Sequence, residues 1–189
     1  FQKVYSSGKL QHIVKRDIAW IAAWGTTEEF LQKFREDDEM QYFYDRGLIY
    51  YALSNPDMGS CYEISSFLLS RCSKEKKNCI LEKKTRDFDG PYHMLFRRKN
   101  YDVLQTAELC EQLFEAGADP NQAGEKNVLP IELMMALPFT EEELHPLYDI
   151  WMKLPAVDLK LHTFDGKQPI DFAKKYKRKK LATWIKAQL

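Results

Sequence analysis

The sequence predicts an all-α chain, an α-solenoid of about five helix-turn-helix units stacked side by side. Apolar residues recur at intervals of three and four in short segments rich in Ala, Leu, Glu, Lys and Gln. No stretch alternates cleanly over five or more residues, so strands should be rare. The helical segments come in pairs, and helix-opening prolines recur from Pro91 to Pro130 to Pro169, an interval of 39 residues each time. One repeat domain over 1–189 is therefore expected.

The third helix pair carries clear start and stop signals. Pro91 suits the first turn of a helix, where the missing amide donor costs nothing. Thr106 is expected to cap the second helix of this pair by accepting from its first-turn amides. Gly117 then ends that helix in the left-handed conformation, and Pro120 prevents its continuation.

The two later pairs follow the same scheme. Pro130 opens a helix, and Thr140 with Glu143 forms a capping box for the next one. Pro146 falls inside that helix and is tolerable only in its first turn or two, or at a bend. Pro169 opens the last pair, whose final helix runs to the C-terminus.

Composition limits the classes of function. The 189 residues include 28 basic and 28 acidic ones, so no overall field attracts nucleic acid or an anionic membrane. No apolar run is long enough to span a bilayer, and no secretory leader is visible. The chain opens at Phe1 rather than Met, so a preceding segment could have been removed. We expect a cytoplasmic monomer.

The four cysteines are Cys61, Cys72, Cys79 and Cys110. None forms a C-x-x-C pair and no His stands at a zinc-ligand spacing, so no metal site is predicted. We expect buried free thiols in a reducing compartment. A disulfide between Cys72 and Cys79 is the alternative.

Alignment on the helix openings gives the repeat. "LPIELM" (129–134) matches "QPIDFA" (168–173) and "GPYHML" (90–95). The earlier segments "GLIYYAL" (47–53) and "DIAWIAAWG" (17–25) place Ala52 and Ala22 where the others place Leu95, Met134 and Ala173. The approximate repeat bounds are 10–40, 41–80, 86–120, 125–158 and 164–189.

This pattern resembles degenerate ankyrin repeats of the bacterial type. "GADPN" (117–121) is similar to the family's Gly-Ala-Asp-x-Asn ending, and Asn121 is followed nine residues later by Pro130, as in the family. Asn127 stands where the family usually has a turn Gly. Residues 88–137 and 154–189 carry the resemblance well, whereas 1–87 carry it only through helix pairing. No unit keeps Thr-Pro-Leu-His intact, and another α-solenoid or an irregular helical bundle is the rival.

The resemblance implies a non-catalytic module that binds another protein through a concave face and projecting finger turns. It implies no cofactor and does not identify the partner, although a dedicated inhibitor or immunity protein is one form it could take. His93 falls at the family's His and should make a structural hydrogen bond. The expected contact residues are Phe88, Asp89, Tyr92, Arg97, Glu125, Lys126, Asn127, Phe164, Asp165 and Lys167.

Three other stretches have competing interpretations. The basic run "KKYKRKK" (174–180) suits phosphate backbones or an acidic partner, or else is a solvated helix end. The acidic run 36–39 is expected to be a solvated loop, with a contact patch for a basic partner as the alternative. The aromatic stretch 39–53 divides between core packing and partner anchors. No nucleophile elbow, Gly-rich phosphate loop or paired-carboxylate cleft is present, so the sequence does not predict an enzyme.

Overall fold

The structure is a computed structural model, and it describes residues 16–75, 80, 89–163 and 165–189. Within these ranges all regular structure is helical, and extended pairing is limited to an isolated bridge between Phe43 and Arg46. The all-α prediction is therefore confirmed for the described part of the chain. The described ranges contain the following ten α-helices: α1 (Ile18–Trp24), α2 (Thr27–Lys33), α3 (Leu48–Leu53), α4 (Met58–Glu75), α5 (Pro91–Phe96), α6 (Val103–Glu115), α7 (Pro130–Met135), α8 (His145–Trp151), α9 (Pro169–Lys175) and α10 (Lys179–Gln188).

These helices form two layers. The first helices of the pairs contact one another in chain order, α1 to α3 to α5 to α7 to α9. The second helices do the same from α2 through α4 and α6 to α8, and α10 packs on α9. Each helix pair therefore shares its apolar face with its neighbours, as expected for units that cannot bury that face alone.

The predicted helix boundaries are mostly confirmed. Pro91, Pro130 and Pro169 each lie in the first turn of a first helix. Gly117 has φ 96°, and the Ala118 amide after it donates to the Leu113 carbonyl at 2.9 Å, as in a Schellman ending. These residues therefore fix where the helices of the third, fourth and fifth pairs begin or end.

The Thr140 region also follows the prediction. The Thr140 hydroxyl accepts from the Glu143 amide at 3.2 Å, and the Glu143 carboxylate accepts from the Thr140 amide at 2.7 Å. The α-helix itself begins at His145, which leaves Pro146 in the first turn. Pro146 therefore breaks no hydrogen bond of α8.

The predicted cap at Thr106 is wrong. Helix α6 begins three residues earlier, where the Asp102 carboxylate accepts from the Gln105 amide at 2.9 Å. Thr106 is buried inside the helix, and its hydroxyl lies 2.7 Å from the hydroxyl of Tyr62 on α4. An acidic cap was available nearby, and the Thr hydroxyl serves the packing of α6 on α4 instead.

The solvated-loop interpretation of the acidic run 36–39 is also wrong in its second half. Asp38 is 8% exposed and Glu39 only 2% exposed. Glu39 pairs with Arg71 of α4 at 3.1 Å. A buried carboxylate requires such a partner, and the pair ties the segment between the first two units to the second-helix layer.

Side chains from one unit satisfy the carbonyls at the helix ends of the unit before it. The buried Asn55 amide donates to the carbonyls of Ala22 and Gly25, both at 3.0 Å. Arg98 donates to the carbonyl of Leu53, the last residue of α3, at 2.9 Å, and Arg178 caps the end of α7 in the same way. These contacts stabilise the stack because a helix C-terminus leaves its last carbonyls without intrahelical partners.

Cys61 and Cys110 are free and fully buried, as expected of small apolar side chains. Burial raises the pKa of the Cys61 thiol to about 11 and that of Cys110 well above its usual value. Cys72 is disulfide-bonded, which corrects the free-thiol expectation there, and Cys79 lies outside the described residues. Within the described ranges, no helix combines the length and the apolar character needed to cross a bilayer.

Candidate partner-binding surface

Three turns project ahead of first helices, and we call them finger turns: 43–46, 124–128 and 163–167. Each is closed by a backbone hydrogen bond of 2.9 Å, from the amide of Phe43, Gly124 or Thr163 to a carbonyl at the far side. They precede α3, α7 and α9. Because the backbone bonds fix their shape, the exposed residues on them lose little freedom on binding.

The 124–128 turn is clamped to the N-terminal end of α5. A Cβ added at Gly124 would lie 2.5 Å from an Asp89 carboxylate oxygen and 2.6 Å from Nε2 of His93, so any side chain there would have to displace one of these groups. His93 Nδ1 accepts from the Gly90 amide at 3.2 Å, which leaves the proton on Nε2 to donate to the Val128 carbonyl at 2.8 Å. The structural hydrogen bond predicted for His93 is confirmed.

Three of the predicted contact residues gather in one cluster that joins two neighbouring units. Arg97 pairs with Asp89 at 2.7 Å and lies 4.0 Å from Glu125. Asp89 also accepts from the Glu125 amide at 3.1 Å. The side chain of Glu125 is 57% exposed and that of Arg97 is 37% exposed, so the cluster presents charge to solvent while its geometry is held.

Among the other predicted contact residues that the structure describes in these turns, Lys126, Asp165 and Lys167 are exposed and Asn127 is half-buried. Lys126 and Asn127 have φ 57° and 58°, so Asn127 adopts the left-handed conformation expected where the resemblance places a glycine. Asp165 and Lys167 pair with each other at 2.5 Å in the next finger turn. Hydrogen bonds from Lys167 and Thr163 hold the pKa of the Asp165 carboxyl down to about 2.

Tyr92 was wrongly predicted as a surface contact. It is 1% exposed, its hydroxyl donates to the Cys110 carbonyl at 3.1 Å, and its ring packs against that of Trp151. Tyr92 is therefore a core residue. Phe88 and Phe164 lie outside the described residues, so their predicted role stays a prediction.

Sequence reasoning missed a groove beside α5, which we call the α5 groove. It has a volume of about 420 Å³ and runs from Asp89 at the start of the helix to the turn after it, with the loop that follows α3 as its other wall. The groove is lined by Leu53, Ser54, Asn55, Pro56, Asp89, Met94, Arg97, Arg98, Lys99 and Asn100. The local signal was the run Arg97–Lys99, three consecutive cations directly after a short helix.

The aromatic residues of the stretch 39–53 lie partly in the core and partly at the surface. Tyr50 is 1% exposed and belongs to the core. Tyr42 and Tyr44 are 49% and 76% exposed, and Tyr44 sits in the first described finger turn with φ 59°. Two of the aromatics are thus available at the surface.

Most cations of the basic run 174–180 have partners within the chain. Lys174 pairs with Asp171, Lys175 with Glu132 of the preceding unit, and Lys180 with Glu142. Arg178 donates to three carbonyls. This engagement leaves mainly Lys177 and Lys179 of the run for an external anion.

We therefore expect weak retention on a heparin column. The chain should elute at low salt, because neutralising few phosphate-like charges gives a shallow dependence on salt. Elution only at high salt, with a steep salt dependence, would restore the nucleic-acid interpretation of residues 174–180. A Lys177→Ala, Lys179→Ala double variant then identifies whether that run is responsible.

Within the described ranges, no group of three or more His, Cys, Asp or Glu side chains is arranged to hold a metal ion.

The all-helical stack of helix pairs is shared with a solved structure. The crystal structure of a functionally unknown protein from Leptotrichia buccalis C-1013-b superposes with a TM-score of 0.69 at 21% sequence identity, over 95% of this chain and 94% of that one. This likeness concerns the fold alone. No protein-family model and no curated protein matches the sequence.

Proposed function

We propose that this chain is a non-catalytic protein-binding module, built as an ankyrin-like α-solenoid, whose finger turns and first helices bind a partner protein. The observation that carries the proposal is the Asp89–Arg97–Glu125 cluster. It joins the turn of one unit to the first helix of the unit before it, and it is both fixed and exposed.

Several features of the stack support the ankyrin-like form. First helices begin at 18, 48, 91, 130 and 169, and they make one continuous layer beside the second helices. The turn before α7 is hydrogen-bonded to His93 of the previous unit, as the resemblance implies. Such stacks present rigid, separated contact points along one face.

The test is capture of a partner with the intact chain as bait. Replacing Lys126 and Lys167 together with Glu should weaken capture about tenfold, because both side chains lie on finger turns and reversing their charges changes the complementarity of the surface. Circular dichroism checks that the variant still folds. Binding is measured against the co-purifying protein identified by mass spectrometry.

The matched control reverses two exposed lysines on the second-helix side, Lys153→Glu with Lys186→Glu. This control should capture the partner normally. Equal loss in both double variants, or loss in neither, would overturn the assignment of the finger turns. Co-expression with neighbouring gene products tests the narrower form, in which the partner is a single dedicated protein such as a toxin that this chain inhibits.

A further inference from the structure

We propose that the α5 groove receives an acidic segment of the partner protein, with carboxylates on the cationic rim and an apolar side chain on the floor. This inference rests on the proposed function and specifies the chemistry of the partner. Its basis is an imbalance of charge, since three cations and one carboxylate line the groove.

Arg98 makes no ion pair with any described residue. Its guanidinium donates to the carbonyls of Leu53 and Asn55, both at 2.9 Å, and lies 2.8 Å from the Cys61 sulfur. None of these groups is negative, because the buried thiol stays protonated with a pKa of about 11. Arg98 also lowers the pKa of the Asp57 carboxyl, but hydrogen bonds with Ser60 contribute most to that lowering and the charge of Arg98 contributes least.

The other two cations border the open side of the groove. Lys99 is exposed and makes no ion pair with any described residue. Arg97 already shares Asp89 and Glu125, which fixes its position without burying it. An incoming carboxylate would therefore meet one held and one free cation.

The shape of the groove favours a peptide over a small anion. Its lining includes Asp89 before α5, Met94 within the helix and Arg97 after it, and six helical residues span about 9 Å, which exceeds the reach of a single phosphate or carboxylate. Leu53, Pro56 and Met94 supply apolar wall, and the volume of about 420 Å³ lies in the range of ordinary ligand sites. Asp89 at one end disfavours a continuous run of phosphates, so nucleic acid is the poorer fit.

The experiment uses fluorescence anisotropy with the full chain and a fluorescein-labelled, doubly capped peptide, Glu-Glu-Leu-Glu-Glu. We expect binding at low ionic strength that weakens with salt, and no binding of the matched Gln-Gln-Leu-Gln-Gln peptide. Lys99→Glu should weaken binding about fivefold, because it replaces an exposed attraction by a repulsion. Lys186→Glu, at another exposed lysine on α10, should leave it unchanged.

Three results would overturn the inference. They are equal binding of the Gln peptide, equal loss in the Lys99 and Lys186 variants, and tighter binding of a ten-residue thymidine oligonucleotide than of the Glu peptide. Amide shifts in the NMR spectrum should also be confined to the lining segments of the groove, residues 53–56, 89 and 94–100. If finger-turn variants release the partner while the Glu peptide does not bind, the groove assignment fails and the proposed function stands. If the Glu peptide binds and finger-turn variants have no effect, the groove assignment stands and the assignment of the finger turns in the proposed function fails.

Discussion

Replacing Arg178 with alanine should lower the free energy of unfolding by about 2–3 kcal/mol. Arg178 lies in the turn between α9 and α10 and reaches back to the end of α7. Its guanidinium donates to the carbonyls of Leu137 at 2.6 Å, Phe139 at 2.7 Å and Met135 at 2.9 Å. The substitution removes the donors and leaves these carbonyls behind.

The size of the loss follows from how far water can replace the guanidinium. Hydrogen bonds to a charged group contribute roughly 1.5–3 kcal/mol each when the partner stays buried. Met135 and Leu137 are buried, but Phe139 and Arg178 are only half-buried, so water recovers part of the interaction. The expected loss is therefore well below the sum of three such bonds.

Urea denaturation at fixed pH measures this loss. Arg178→Lys should be intermediate, because an ammonium keeps the charge but cannot match three carbonyls with a planar fork of donors. Lys179→Ala, one residue away and exposed, should stay within about 0.5 kcal/mol of the parent. If Arg178→Ala were no worse than Lys179→Ala, the capping role of Arg178 would be disproved.

The capping role of Arg178 could not be predicted from the sequence. Arg178 is one of six cations in seven positions, and nothing local separates it from Lys177 or Lys179. Its role depends on carbonyls about 40 residues earlier, which become neighbours only when the units stack. The same holds for Glu39, whose burial depends on Arg71 in another unit. Long-range polar pairs leave no periodic trace in the sequence.

Local features were predictable because a few adjacent residues decide them. Pro130 opens a helix and Gly117 ends one through backbone geometry that needs no tertiary partner. The buried face of a short helix was harder to predict from the sequence. Helix α5 has six residues, fewer than two turns, so its short sequence pattern did not reveal that the Tyr92 side chain is buried. For the candidate site, Asp89, Arg97 and Glu125 were predicted, and the α5 groove was not.

Replacing Trp151 with alanine should lower the free energy of unfolding by about 3–5 kcal/mol. Trp151 is fully buried on α8, and its ring contacts Tyr92 and Phe96 of α5 edge to face, with centroids 5.0 and 5.5 Å apart. It thus joins the second-helix layer of one unit to the first-helix layer of the unit before it. Met94 of α5 and Arg97, which directly follows the helix, line the α5 groove.

Trp151→Phe is the control that separates packing from chemistry. Nε1 of Trp151 is buried without a hydrogen-bond partner in the described structure, so phenylalanine removes an unsatisfied donor while it keeps one aromatic ring. We expect that gain to offset part of the lost contact area, which leaves a cost of about 1 kcal/mol. Because α5 loses its support, Trp151→Ala should also weaken binding of the Glu peptide, whereas Trp151→Phe should preserve it. Thermal denaturation and anisotropy on the same samples measure both effects, and normal peptide binding by folded Trp151→Ala would contradict the coupling of this core contact to the groove.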